Sequence, residues 1–200
     1  MMQVLIPGSG RRYQGGDSLD QSAPLVFTIA DVLSAAECAA MIAQIEALGP
    51  AAAPVSMAAG AVMRPDLRNN QRVMFDDVAL AARLFERLAP VLPAVAATRP
   101  VGANERFRGY KYARAERFAP HRDGCFVRNA DERSELTLMV YLNEGFRGGT
   151  TRFLDFEVDV VPRTGSALLF QHGLLHEGSP VEHGLKYVLR SDVMYGPRAR

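Results

Sequence analysis

The sequence predicts an α+β fold, with helices in the first half and a β core of the jelly-roll type in the second. Two observations predict it. Between residues 34 and 90, apolar side chains recur at helical spacing, bounded by caps and breakers. From about residue 104 short alternating or apolar stretches are separated by Gly, Pro, Asn and Asp, the pattern of an all-β barrel or sandwich. With 200 residues, 48% of them hydrophobic, the chain can bury one sizeable core, so a single domain over 1–200 is expected.

Residues 8–22 read as a loose lead-in, and Leu25 to Ile29 as a strand. Ser34-Ala35-Ala36-Glu37 is a capping box: the serine oxygen takes an orphan helix amide and the glutamate reaches back. Met41, Ile42, Ile45 and Leu48 follow at helical spacing, and Gly49-Pro50 stops the helix. An alanine- and glycine-rich connector spans 51–61, and a polar segment spans 64–77. A second helix carries Val78, Ala81, Leu84, Phe85 and Leu88 on its apolar face and ends at Pro90 and Pro93. Core strands are expected at Phe107 to Tyr112, Leu136 to Leu142, Phe156 to Val161, Ala167 to Phe170 and Tyr187 to Val193. The chain thus divides into a helical flank, 1–103, and a β core, 104–197. No internal repeat is present.

Charge narrows the function. Lys and Arg number 23 against 22 Asp and Glu, with a sequence pI near 7.8. That balance gives no electrostatic case for nucleic acid or an anionic membrane as partner. No apolar run is long enough to span a bilayer, and the first residues lack the basic lead of a signal peptide. Two cysteines, Cys38 and Cys125, form no disulfide framework. A cytoplasmic location is expected.

Pro120-His121-Arg122-Asp123-Gly124 places a histidine and an aspartate two residues apart. On an extended strand such residues project to one side, so an imidazole and a carboxylate can meet one ion. A third ligand must come from elsewhere: His176 is the candidate, with His172 as competitor. Two histidines and a carboxylate leave open coordination positions and suit non-heme Fe(II). Alone, the His-x-Asp pair is weak. Its context is Phe107-Arg108-Gly109-Tyr110-Lys111-Tyr112 upstream, then Leu136 to Glu144, Gly148 to Phe153, Val161 to Phe170, and His176-Glu177-Gly178-Ser179-Pro180-Val181 leading to Lys186. Over residues 104–195 this string resembles the prolyl 4-hydroxylase-like branch of the 2-oxoglutarate/Fe(II) oxygenases.

The resemblance implies a double-stranded β-helix (jelly-roll) core with the N-terminal helices packed on it. It implies Fe(II) held by His121, Asp123 and His176, with 2-oxoglutarate and O2 as cosubstrates and ascorbate as a candidate reductant. Lys186, ten residues past His176, matches the cation that pairs with the far carboxylate of 2-oxoglutarate. Arg190, on the same strand face, is a second candidate for that clamp. Tyr112, nine residues before His121, matches a tyrosine that contacts 2-oxoglutarate. Thr137 and Leu142 are candidate pocket residues. In one place the chain departs from the pattern: Ala115 stands where a glycine usually follows that tyrosine by three.

The implied activity is a dioxygenase that hydroxylates an unactivated C–H bond and releases succinate and CO2. The substrate is a prolyl residue in a peptide or protein, or a small amino-acid-like molecule. Polar residues of the 64–77 segment, expected to form a substrate loop, are candidates for substrate contact: Arg68, Asn69, Asn70 and Arg72, with Arg128 after the metal strand. The competing reading is a non-catalytic metal- or ligand-binding jelly roll. Oligomeric state leaves no mark in the sequence.

Overall fold

The structure, a computed structural model, describes residues 1–57 and 60–197. The first half runs β1 (Met2–Ile6), β2 (Val26–Ile29), α1 (Ala35–Ala47), β3 (Ala51–Ala52), β4 (Val55–Met57), β5 (Gly60–Val62), β6 (Gln71–Asp76) and α2 (Val78–Leu88). The second half supplies β7 (Arg99–Ala103), β8 (Arg106–Tyr112), β9 (Phe118–His121), β10 (Arg133–Tyr141), β11 (Arg147–Gly148) and β12 (Thr151–Phe153). It continues with β13 (Val158–Val160), β14 (Ala167–Gln171), β15 (His176–Gly178), β16 (Val181–His183) and β17 (Lys186–Gly196).

Nine strands form one sheet, ordered β1-β2-β14-β10-β17-β8-β6-β3, with β7 also paired to β17. Four more form a second sheet, β13-β12-β15-β9. Both expected helices are present. Ser34 and Glu37 make the capping box of α1, and Asp77 caps α2 through the Leu80 amide.

The large sheet separates two kinds of residue by strand alternation. On one face Phe107, Leu138, Val140 and Leu189 are buried with Ile45 of α1 and Leu84 and Leu88 of α2. Gly109 lets α1 sit this close: a Cβ there would lie 2.6 Å from Ile45 Cγ1. Glu46 adds a polar tie, accepting from Tyr187 Oη at 2.5 Å and Lys111 Nζ at 3.1 Å. The other face turns toward the four-stranded sheet. In register there, Arg108, Tyr110 and Tyr112 of β8 oppose Arg190, Val188 and Lys186 of β17. Tyr141, Phe170 and Val188 of that face share a core with Phe153 of the second sheet.

The division at residue 103 is corrected by the topology. The flank 1–103 is not only helical: β1, β2, β3, β6 and β7 are strands of the nine-stranded sheet. The expected loop at 64–77 ends in β6, which pairs with β8 over Gln71–Asp76. Its alternation is hard to read because only Val73 is buried. The connector at 51–61 holds the short strands β3, β4 and β5, and its residues 58–59 lie outside the described residues. Among the described residues no helix is long and apolar enough to cross a membrane.

Candidate metal centre and cosubstrate pocket

The two histidines arrive on neighbouring strands. His121 ends β9, His176 opens β15, and they are direct partners in the antiparallel register. Their ring centroids are 4.3 Å apart. Asp123 follows two residues after His121, and ligand atoms of all three side chains lie within 4.8 Å of one another. His121 Nε2 is 3.8 Å from Asp123 Oδ1, and His176 Nε2 is 3.7 Å from Asp123 Oδ2.

Backbone carbonyls fix which nitrogen faces inward. His121 Nδ1 lies 2.8 Å from the Ala119 carbonyl oxygen, and His176 Nδ1 lies 3.0 Å from that of Leu174. Each Nδ1 donates to its carbonyl, so each Nε2 keeps its lone pair for an ion. Burial, with His176 nearby, lowers the His121 pKa to about 4, and burial lowers that of His176. Both rings are therefore neutral at physiological pH, as metal ligands must be. Asp123 stays ionised. Burial raises its pKa, but Arg190, the two histidines and the Thr137 hydroxyl together hold it below the usual carboxylate range.

His172 does not compete for the ion. Its Nδ1 lies 2.9 Å from Thr137 Oγ1, and its Nε2 lies 2.8 Å from Ser134 Oγ. Thr137 Oγ1 in turn donates to Asp123 Oδ2 at 2.6 Å. One proton order satisfies the chain: Ser134 donates to His172 Nε2, His172 Nδ1–H donates to Thr137, and Thr137 donates to Asp123. Cys125 is exposed and outside the ligand cluster.

Lys186 is 2% exposed, and its Nζ donates to the Gly149 carbonyl at 2.6 Å. It sits 5.2 Å over the Tyr112 ring and 5.7 Å over the Tyr141 ring. Burial alone pushes its pKa down to about 7. Among the described residues no carboxylate pairs with it. Arg190 differs: its Nη2 lies 3.1 Å from Asp123 Oδ2 and 3.3 Å from Asp192 Oδ1, so its charge is already matched. Burial lowers the Arg190 pKa, and these two carboxylates more than reverse that. Lys186, Tyr112, Tyr110, Thr151 and Met139 line one cavity with His121, Asp123 and His176.

Other candidates take different places. Thr137 positions Asp123, and Leu142 belongs to the core on the helix side of the sheet. Arg68 and Arg72 line a cleft beside the triad. Asn70 is fully buried and accepts from Arg68 Nε at 2.7 Å, so it holds that arginine in place. Asn69 is corrected to a loop tie: its Oδ1 accepts from the Arg117 amide at 2.7 Å. Arg128 is likewise corrected, being engaged by Glu105 and by Glu132 at 3.1 Å. Sequence reasoning passed over Met139, Thr151, Phe118 and Arg108. Arg108 had a usable signal, since it shares the strand face of Tyr110 and Tyr112.

Residues 107–191 match the family model described as the 2OG-Fe(II) oxygenase superfamily. That stretch, under half of the chain, carries the triad, Lys186 and Arg190. The match and the His-Asp-His cluster make the protein a 2-oxoglutarate-dependent dioxygenase, with Fe(II) as its metal and 2-oxoglutarate and O2 as cosubstrates. No curated protein matches the chain in sequence. Solved structures show the same double-stranded β-helix fold. A Pseudomonas putida prolyl-4-hydroxylase is 21% identical with a TM-score of 0.59, over 87% of this chain and 93% of that one. A viral collagen prolyl hydroxylase from Paramecium Bursaria Chlorella virus-1, in complex with 2OG, is 19% identical with a TM-score of 0.57, over 85% and 96%. A Trichoplax adhaerens prolyl hydroxylase, in complex with a hypoxia inducible factor oxygen degradation domain peptide fragment, is 15% identical with a TM-score of 0.62, over 84% and 82%.

The residues present in this oxygenase fit its cofactors. Two neutral imidazoles and a carboxylate converge with free lone pairs, the donor set of a facial Fe(II) site. The unmatched ammonium of Lys186 lines the same cavity and suits a dicarboxylate.

Proposed function

We propose that this dioxygenase hydroxylates an unactivated C–H bond, of a prolyl residue in a peptide or protein or of a small amino-acid-like molecule, releasing succinate and CO2. In this reading His121, Asp123 and His176 hold Fe(II), and Lys186 with Tyr112 takes the far carboxylate of 2-oxoglutarate. Residues 104–197 carry the catalytic core, and β6 and the segment before it contribute to the substrate side. Bound Fe(II) supplies the position where 2-oxoglutarate and O2 react, one oxygen atom ending in succinate and the other on the substrate.

The chain's own residues do the positioning. Thr137 and Arg190 fix both the orientation and the charge of Asp123. Phe153 and Phe170 pack against His176 and keep water from that side, with centroids 6.0 and 4.5 Å from its ring. Lys186 anchors one end of the dicarboxylate, so its ketoacid end is delivered toward the triad.

A cytoplasmic location fits two unpaired cysteines, one of them exposed. One observation carries the function: a buried, uncompensated Lys186 on the same cavity as a preorganised His-Asp-His cluster. The test is calorimetric titration of the metal-loaded protein with 2-oxoglutarate, followed by a screen for substrate-stimulated succinate release with amino acids and proline-containing peptides. His176→Ala is expected to abolish turnover. Correctly metallated protein that binds no 2-oxoglutarate overturns the reading.

A further inference from the structure

Beside the triad lies a cleft of about 350 Å³ with a strongly unequal charge. Arg68, Arg72, Arg108 and Arg190 all line it, and among the described residues Asp123 is its only acidic lining residue. Asp192, behind the wall, pairs with Arg190 and lies 3.7 Å from Arg108 Nη1. Arg190 is therefore matched and Arg108 has only the longer contact to Asp192, which it shares with Arg190, whereas Arg68 and Arg72 make no ion pair among the described residues. Arg68 is 4% exposed, yet its Nη2 has no hydrogen-bond partner. Arg108 Nη1 is buried without one as well. Arg72 is half-buried and makes no ion pair among the described residues.

These cations crowd one another. Burial lowers the Arg72 pKa; Tyr110 opposes this, and Arg68, Arg108 and Arg190 each lower it further. Burial raises the Tyr110 pKa, but Arg68, Arg190 and Arg108 together bring it below its ordinary value. Crowding of this kind is costly, and an anion in the cleft would relieve it.

Arg68 is also rigid. Its Nε is held by Asn70, and its guanidinium lies between the Tyr110 and Phe118 rings at 4.5 and 4.4 Å. Phe118 in turn stacks on His121 at 3.6 Å. One ring therefore separates this guanidinium from a proposed metal ligand. A group gripped by Arg68 would place its neighbouring carbons beside the ion.

We infer that the substrate is a small anion, carrying a carboxylate or phosphate group that Arg68, Arg72 and Arg108 bind in this cleft while an adjacent C–H faces the metal. The inference rests on the proposed reading of the triad and Lys186. Guanidinium forks match the planar or trigonal oxygens of both groups. The volume suits a small molecule.

The test uses full-length protein loaded with Mn(II), which does not turn over, and saturated with 2-oxoglutarate. Calorimetry then compares paired probes: N-acetyl-L-proline with N-acetyl-L-prolinamide, N-acetyl-L-glutamate with its diamide, and N-acetyl-O-phospho-L-serinamide with N-acetyl-L-serinamide. Acetyl-prolyl-glycinamide serves as a neutral peptide. At least one anion is expected to bind tenfold or more tightly than its neutral partner, and the pairs separate carboxylate from phosphate. Arg72→Gln, at a half-buried position, and separately Arg108→Gln are expected to remove that preference.

The inference is overturned if no anion binds the loaded protein, if the neutral peptide binds as well as the best anion, or if both variants keep the preference. Failure of wild-type protein to bind 2-oxoglutarate in the loading step would count against the underlying reading instead, so the two failures are distinguishable.

Discussion

Lys186 Nζ donates to the Gly149 carbonyl at 2.6 Å and has no carboxylate partner among the described residues. This buried ammonium predicts effects of opposite sign. Lys186→Met should weaken 2-oxoglutarate binding by roughly 100-fold or more, since the dicarboxylate loses a desolvated charge partner. The same change should leave the ligand-free protein as stable or more stable, because an uncompensated charge leaves the core. Calorimetry and thermal melts of one preparation check both.

The pH dependence follows from the same residue. Its folded-state pKa is depressed to about 7 from 10.5. Between those values the folded protein binds fewer protons than the unfolded chain, so this group's contribution to stability rises with pH across that window. Binding of 2-oxoglutarate needs the charged form. It should take up a proton above about pH 7 and weaken as pH rises. Titrations in buffers of different ionisation enthalpy read the proton directly, and pH-independent binding would contradict the assignment of Lys186.

Thr137 should control metal affinity without touching the ion. Thr137→Val removes the donor to Asp123 and orphans His172 Nδ1. Loss of such outer partners typically costs about 10- to 100-fold in metal affinity. His172→Ala should fall in the same range, whereas His176→Ala should abolish tight binding. Competitive metal titrations rank the three.

Ala115 holds the position where the family pattern has glycine, and its φ is +66°, left-handed. Alanine in that region costs on the order of 1 kcal/mol relative to glycine. Ala115→Gly should therefore stabilise the protein, raising Tm by roughly 2–4 °C. Activity should be retained, because the turn keeps its shape.

Gly109→Ala makes the opposite case. The new methyl would meet Ile45 Cγ1 at 2.6 Å and Val73 Cγ2 at 2.9 Å. Overpacking of this kind costs about 1–3 kcal/mol, which denaturant melts would measure.

Much of this molecule was legible in its sequence, for identifiable reasons. The helices announced themselves through Ser34, Glu37 and Asp77, whose capping chemistry is local. His121 and Asp123 were suggested by their two-residue spacing, although Asp123 lies just past the end of β9, and His176 was preferred over His172 only through the family resemblance of the residues that follow it. β6 was not, since its site-facing side chain is Arg72 and only Val73 on its other face is buried, so no clean alternation appears. The roles of His172 and Arg190 were also hidden. Each is settled by a partner far along the chain: Thr137 for His172, and Asp123 for Arg190. Asn69 and Arg128 looked free for substrate only because Arg117, Glu105 and Glu132 come to them through the fold.

The ligand cluster straddles the sandwich. Its two histidines stand on β9 and β15 of the small sheet, while Asp123 is tied to β10 and β17 of the large one through Thr137 and Arg190. An ion held by all three would act as a rivet between two layers otherwise joined there by side-chain packing. Prying the layers apart would loosen the rivet, and removing it would let the layers breathe. The mechanical stiffness of the sandwich and the residence time of its metal are thus one property, set at a single point.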